Sequence, residues 1–120
     1  MFLFKFYKEL FSRIRPNDPT SKCVFDHYFF DHSYYLQKNA STEDFASLLN
    51  ISTKKLGEIT QYYYAVSFQL LINQHRYQHF VQELESPINS NLSIQSIIKL
   101  CGYENNDKFV EYVKKQNKKA

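Results

Sequence analysis

The sequence has no tryptophan, one methionine, two cysteines, two glycines and three prolines in 120 residues. So little glycine and proline excludes a collagen-like repeat, a flexible linker protein or a loop-rich β design, and leaves a helical globule. Cys23 and Cys101 follow no metal-ligand spacing, so they read as free thiols of a reducing compartment, with Cys101 a small core residue on an apolar helix face. No apolar run is long enough to cross a bilayer. The opening MFLFKFYKELFSRIR is also too short and too charged for a span or a secretory signal. A cytoplasmic protein is the expectation.

Charge of one sign is scarce too. The net charge is +3, with six basic and four acidic residues in 1–41, and nine basic and eight acidic in 42–120. Four of those nine, Lys114, Lys115, Lys118 and Lys119, crowd at the end. A strong electrostatic footprint for nucleic acid is therefore missing. There is no Gly-rich phosphate loop and no nucleophile–base set, so an enzyme is not expected. His75 and His79 are four apart but lack the intervening Glu of a metalloprotease helix. They read as packing or surface groups, as do His27 and His32 beside Asp26 and Asp31. No metal or other cofactor is expected.

What is abundant is aromatic and lysine-rich: eleven Phe, ten Tyr, and Lys far in excess of Arg. Together with frequent Asn and Ile, this suggests an AT-rich bacterial genome. The length suits one domain with a single modest core. In residues 1–15, Leu3, Phe4, Phe6, Tyr7, Leu10, Phe11 and Ile14 share one helical face, opposite Lys5, Lys8, Glu9, Ser12 and Arg13. The segment PNDPTSK breaks the chain, and VFDHYFFDHSYYLQKN predicts a helix from about 24 to 39.

Further on the punctuation is clear. Ser41 with Asp44 starts a helix with Phe45, Leu48 and Leu49 inward, which pauses at Asn50. Ser52 caps a second, with Leu56, Ile59 and Tyr63 inward. Ser67 begins a long helix with Phe68, Leu71, Ile72, His75, Phe80 and Leu84 as its apolar or half-apolar positions, ending at Pro87. Ser93 caps a short helix with Ile94, Ile97, Ile98 and Cys101. Gly102 stops it, and Asn105 opens a last helix with Phe109, Tyr112 and Val113 inward. Nothing reads as a strand: the fold is all-α.

The two short-helix pairs align. Ala46, Asn50 and Leu56 in the first correspond to Ile98, Gly102 and Phe109 in the second. Each offers a residue at a helix crossing, then a Gly or Asn that tolerates a left-handed backbone, then an apolar anchor on the next helix. That is a helix-turn-helix spacing, which presents the second helix of each pair outward. A joining helix over 67–86 would be about 30 Å long, close to the roughly 34 Å between successive major-groove faces.

In these features the chain resembles the DNA-binding domain of the AraC/XylS family of transcription regulators. The likeness lies in FASLLNISTKKLGEI, SFQLLINQHR and LSIQSIIKLCGYENNDKFVEYVKK, and covers roughly residues 41–115. Ile97, Gly102, Tyr103 and Phe109 follow the signature of the second pair; Phe68, Ile72, Asn73 and Arg76 follow that of the joining helix. The resemblance implies two helix-turn-helix subdomains on a long linker helix, residues 23–120, with residues 1–22 forming an N-terminal amphipathic helix and turn. It also implies a regulator that reads two adjacent major grooves of double-stranded DNA with helices about 53–63 and 105–117.

The chain departs from the family pattern at Ile98 and Phe80, where small residues are usual, and at Ala65, where Gly is. Ile98 is expected to spread or tilt its helix pair. The family also continues into a final helix beyond KKQNKKA, and the N-terminal helix is expected to cover the surface that leaves. DNA contacts are expected from Lys54, Lys55, Glu58 and Gln61 on the first presented helix. On the second they are expected from Asn105, Asn106, Asp107, Lys108, Val110, Glu111, Lys114 and Lys115. The lysines suit phosphates, while Glu58 and Glu111 can accept from cytosine but repel phosphate. A protein partner, RNA polymerase or a sensor, is the companion expectation. The alternative is a degenerate helix-turn-helix protein acting through protein–protein contacts or, less favoured, a membrane surface.

Overall fold

The computed structural model describes residue 11 and residues 13–119, and among these the chain is all-helical, with six α-helices and no strand. The expected amphipathic helix over 1–15 therefore lies largely outside the described residues. At its described end, Phe11 and Arg13 are helical and the chain leaves the helix at Ile14.

Helix α1, Pro19–Asp26, starts earlier than expected, because Asp18 accepts a hydrogen bond from the Thr20 amide and Pro19 fits the first helical turn. The boundary drawn between residues 22 and 23 thus falls inside α1. The expected helix over 24–39 is not continuous either. α1 widens into a π turn at His27–Asp31, breaks at Ser33 in a left-handed conformation (φ 51°), and resumes as a 3₁₀ turn, Tyr34–Leu36.

The following elements match their sequence signals. Ser41 caps α2 (Thr42–Leu49), Ser52 caps α3 (Thr53–Tyr64) and Ser67 caps α4 (Phe68–Glu85), each accepting from the amide three residues on. Asn50 is left-handed at φ 59°, and the Ile51 amide reaches back 2.9 Å to the Ala46 carbonyl, closing a Schellman-type end. Ser93 caps α5 (Ile94–Leu100), and Asn105 accepts from the Asp107 amide ahead of α6 (Asn106–Lys119). The reciprocal half of the box at Ser41 is taken over by Tyr34. Its hydroxyl accepts from the Ser41 amide at 3.1 Å and donates to Asp44 at 2.7 Å, fastening the 3₁₀ turn to α2.

Two clusters of buried side chains form the interior. The first joins Phe11, Phe25, Phe29, Tyr34, Phe45, Leu49, Leu56, Ile59 and the first half of α4. It is dense in rings, with Phe45 stacked on Phe68 at 4.9 Å and Phe25 on Phe29 at 5.2 Å; such pairs add about 0.5–1.5 kcal/mol beyond area burial. The second is smaller: Ile98, Cys101, Tyr103 and Phe109, with Phe80 and Val113 against them. Ile98 is accommodated inside it, and Phe80 meets Phe109 at 4.6 Å. Leu84 and Ile94, expected on apolar faces, are exposed.

Arg76 links the two clusters. It is 6% exposed, and its guanidinium donates to the Tyr35 carbonyl at 2.6 Å and the Gln37 carbonyl at 2.7 Å. Its other face lies 4.9 Å from the Tyr103 ring centre, a cation–π distance. Tyr103 in turn donates to Asn73 on α4 at 3.2 Å. Gly102 is the residue that admits this arrangement: its φ is +99°, and a Cβ there would stand 2.9 Å from both Arg76 Nε and the Leu36 carbonyl.

Glycine and alanine should therefore behave oppositely at three sites. Gly102→Ala is expected to destabilise by roughly 2–4 kcal/mol in urea unfolding, through backbone strain and overpacking. Gly57→Ala, inside α3 with nothing within 4 Å of a built Cβ, is expected to stabilise by about 0.5–1 kcal/mol. Ala65→Gly should also stabilise by about 0.5–1 kcal/mol, because Ala65 closes α3 at φ 60°. A neutral Gly102→Ala would refute the packing described.

Candidate nucleic-acid interface

α3 and α6 are the helices on which the sequence places the DNA contacts, and both turn polar side chains outward. On α3, Leu56, Ile59 and Thr60 turn inward, and Lys54, Glu58, Gln61 and Tyr62 are exposed. On α6, Phe109 and Tyr112 turn inward, and Asp107, Lys108, Val110, Glu111, Lys114 and Lys115 are exposed. Asn105 is exposed and occupied as the cap, while Asn106 is half-buried.

The two faces are not equivalent. Beside α3 runs the chain before α1. Lys55, expected to meet phosphate, instead donates to the Phe11 carbonyl at 2.8 Å with its ammonium 5.3 Å from the Phe11 ring. Burial pulls its pKa below the usual lysine value. The Tyr63 hydroxyl donates to the Asn17 carbonyl at 2.8 Å, and Glu58 and Tyr62 share a recess of about 280 Å³ with Arg15, Pro16 and Asn17. One flank of α3 is thus engaged by the chain's own N-terminal segment. Phe11 also belongs to the first cluster, so the described end of that segment packs on α3's side of the molecule rather than on the second pair.

α6 is more open. An exposed groove of about 580 Å³ runs between it and the first half of α4, with Ser67, Asn73 and Arg76 on one wall and Lys108, Glu111 and Lys115 on the other. Glu111 and Lys115 pair at 3.4 Å one turn apart, which cancels charge on that face. Lys54, Lys108 and Lys114 are exposed and enter no ion pair among the described residues. Of the lysines expected to meet DNA, these three stay exposed and unpaired, and the acidic Glu58, Asp107 and Glu111 stand among them.

Other titratable groups are arranged for packing. Burial pushes the Cys101 thiol up to about 11, so it is a neutral thiol held on the Ile97 carbonyl rather than a nucleophile. Burial pushes Tyr103 up to about 12. The Tyr64 hydroxyl donates to Asp26, which also accepts from Lys22 at 2.7 Å, tying α1 to the end of α3. Among the described residues no group of three or more His, Cys, Asp or Glu is placed to hold a metal ion. No helix among them is long and apolar enough to cross a membrane.

The sequence places Arg76 in the joining-helix pattern but gives no sign of Tyr35 and Gln37 as its partners, since carbonyls that gather around a guanidinium leave no mark in residue type. It likewise gives no warning that Phe11 and residues 15–17 lie against α3.

His75, set between the rings of Phe29, Phe30 and Tyr35, has its pKa lowered by burial from the usual 6.5. The neutral form therefore stabilises the fold fully above about pH 7, and that contribution is lost as pH falls through 6.5 and below. Stability measured from pH 7.5 to 5 should fall more steeply for the native chain than for His75→Phe. Parallel profiles would contradict this placement. Compared with known proteins, the chain matches no protein-family model, no curated protein and no solved structure.

Proposed function

We propose that the chain is a DNA-binding module of the AraC type, in which α2–α3 and α5–α6 act as two helix-turn-helix units carried on α4. The observation that carries this reading is the repeated geometry. Ala46 and Ile98 are buried, Asn50 and Gly102 follow four residues later in left-handed backbone, and Leu56 and Phe109 anchor the next helix in the interior. α4, with 18 residues, spans about 27 Å, a length suited to holding two presented helices near successive major grooves.

Within this reading α6 is the principal reader. Its face is open, while one flank of α3 is engaged by Phe11 and Asn17. Lys54, Lys108 and Lys114 supply phosphate contacts, and Gln61, Asn106, Glu58 and Glu111 are the polar groups offered to bases. With so few free cations on the two presented faces the affinity is modest and strongly salt-dependent, and a protein partner, a sensor or RNA polymerase, adds the rest. The chain does no chemistry of its own.

A second reading, a helix-turn-helix scaffold that binds protein rather than DNA, is favoured by the pairing of Glu111 with Lys115 and by the engaged flank of α3. Selection from a random DNA library at two salt concentrations separates the two. The DNA reading predicts an enriched site of two segments about one helical turn apart. Retention without enrichment, vanishing as salt rises, would overturn it.

For the enriched site, Lys54→Met, Lys108→Met and Lys114→Met should each reduce the slope of log affinity against log salt by about 0.9. Lys55→Met should leave that slope unchanged and lower stability instead. Equal effects of all four lysines would contradict the assignment.

A further inference from the structure

The π turn at His27–Asp31 brings together two residues that an α-helix would separate. Positions five apart in an α-helix point about 140° away from each other. Here the Nε2 atoms of His27 and His32 stand 3.3 Å apart, with their rings perpendicular and ring centres 4.7 Å apart. On the far side of His27, Nδ1 faces Asp31 Oδ2 at 3.5 Å. A carboxylate on that side favours the tautomer with its proton on Nδ1, which leaves the Nε2 lone pair of His27 free.

These distances fit a metal ion. Zinc holds imidazole nitrogen at about 2.0–2.1 Å, so two such ligands on a tetrahedral ion stand about 3.3–3.4 Å apart. We propose that His27 and His32 form a binding site for one zinc-class divalent ion, with Asp31 as the carboxylate behind His27. Imidazole donors favour zinc, nickel or copper over magnesium or calcium, which prefer oxygen. Both histidines are exposed, and binding requires their rings to turn so that both Nε2 lone pairs meet one ion. No third His, Cys, Asp or Glu of the described residues joins them, so water fills the remaining positions and the ion is exchangeable. A bound ion clamps residues 27–32, immediately ahead of the Tyr35 and Gln37 carbonyls that hold Arg76.

The test is calorimetric titration of the intact chain with zinc chloride, with magnesium chloride as the comparison. One zinc ion per chain is expected, and no magnesium. His27→Asn and His32→Gln should each weaken binding at least about tenfold, and Asp31→Asn about tenfold. Cys23→Ser should leave it unchanged. Circular dichroism of the variants should match the native chain, since the substituted side chains are exposed. Absence of saturable zinc uptake would overturn the proposal and leave a plain His–His hydrogen bond. Uptake that survives the double substitution, or is lost with Cys23→Ser, would overturn it by placing the ion elsewhere.

Discussion

A buried arginine with no carboxylate partner among the described residues organises this molecule. Taking a guanidinium out of water costs several kcal/mol, and no carboxylate of the described residues offsets it at Arg76. Instead the cation is met by two carbonyl dipoles, those of Tyr35 and Gln37, and by the face of Tyr103. Each of these partners belongs to a different part of the chain from α4, where Arg76 resides. The 3₁₀ turn, α4 and the turn between α5 and α6 are therefore held at one point. Gly102 follows from the same constraint, since a side chain there would occupy the guanidinium's place.

On either side of that point the molecule is unequal. The first cluster is built from stacked and edge-on rings that are almost wholly buried, and the segment around Phe11 adds to it. The second rests on four buried residues, and Phe109 and Tyr112 are each still 8% exposed. Local stability follows buried apolar contact, so α5 and α6 form the softer half. The softer half is also the one whose presented helix is unobstructed. If α6 reads DNA as proposed, a helix on the less stable half can adjust to its partner while the rigid first half acts as the platform.

Much of this was legible in the sequence where the signal is local. The serines at 41, 52, 67 and 93 cap the helices that follow them, and Asn50 and Gly102 take left-handed backbone, because capping and turn chemistry depend on a few neighbouring atoms. Expectations that need distant partners fared differently. The aromatic stretch after residue 24 has no Gly or Pro to break a helix, yet tertiary packing of Phe29 and Tyr34 into the first cluster draws it into a π turn and a 3₁₀ turn. Lys55 carries the residue type of a phosphate contact, and only the fold reveals the Phe11 carbonyl beside it. The His27–His32 approach is invisible at α-helical spacing for the same reason.

Arg76 as the common point of the fold is best tested by amide hydrogen exchange on Arg76→Met, which keeps much of the side chain's length and removes its donors. The account predicts that α5 and α6 and the 3₁₀ turn Tyr34–Leu36 exchange markedly faster, while α2 and α3 keep their protection. Unchanged exchange, or an equal loss of protection throughout the chain, would contradict it.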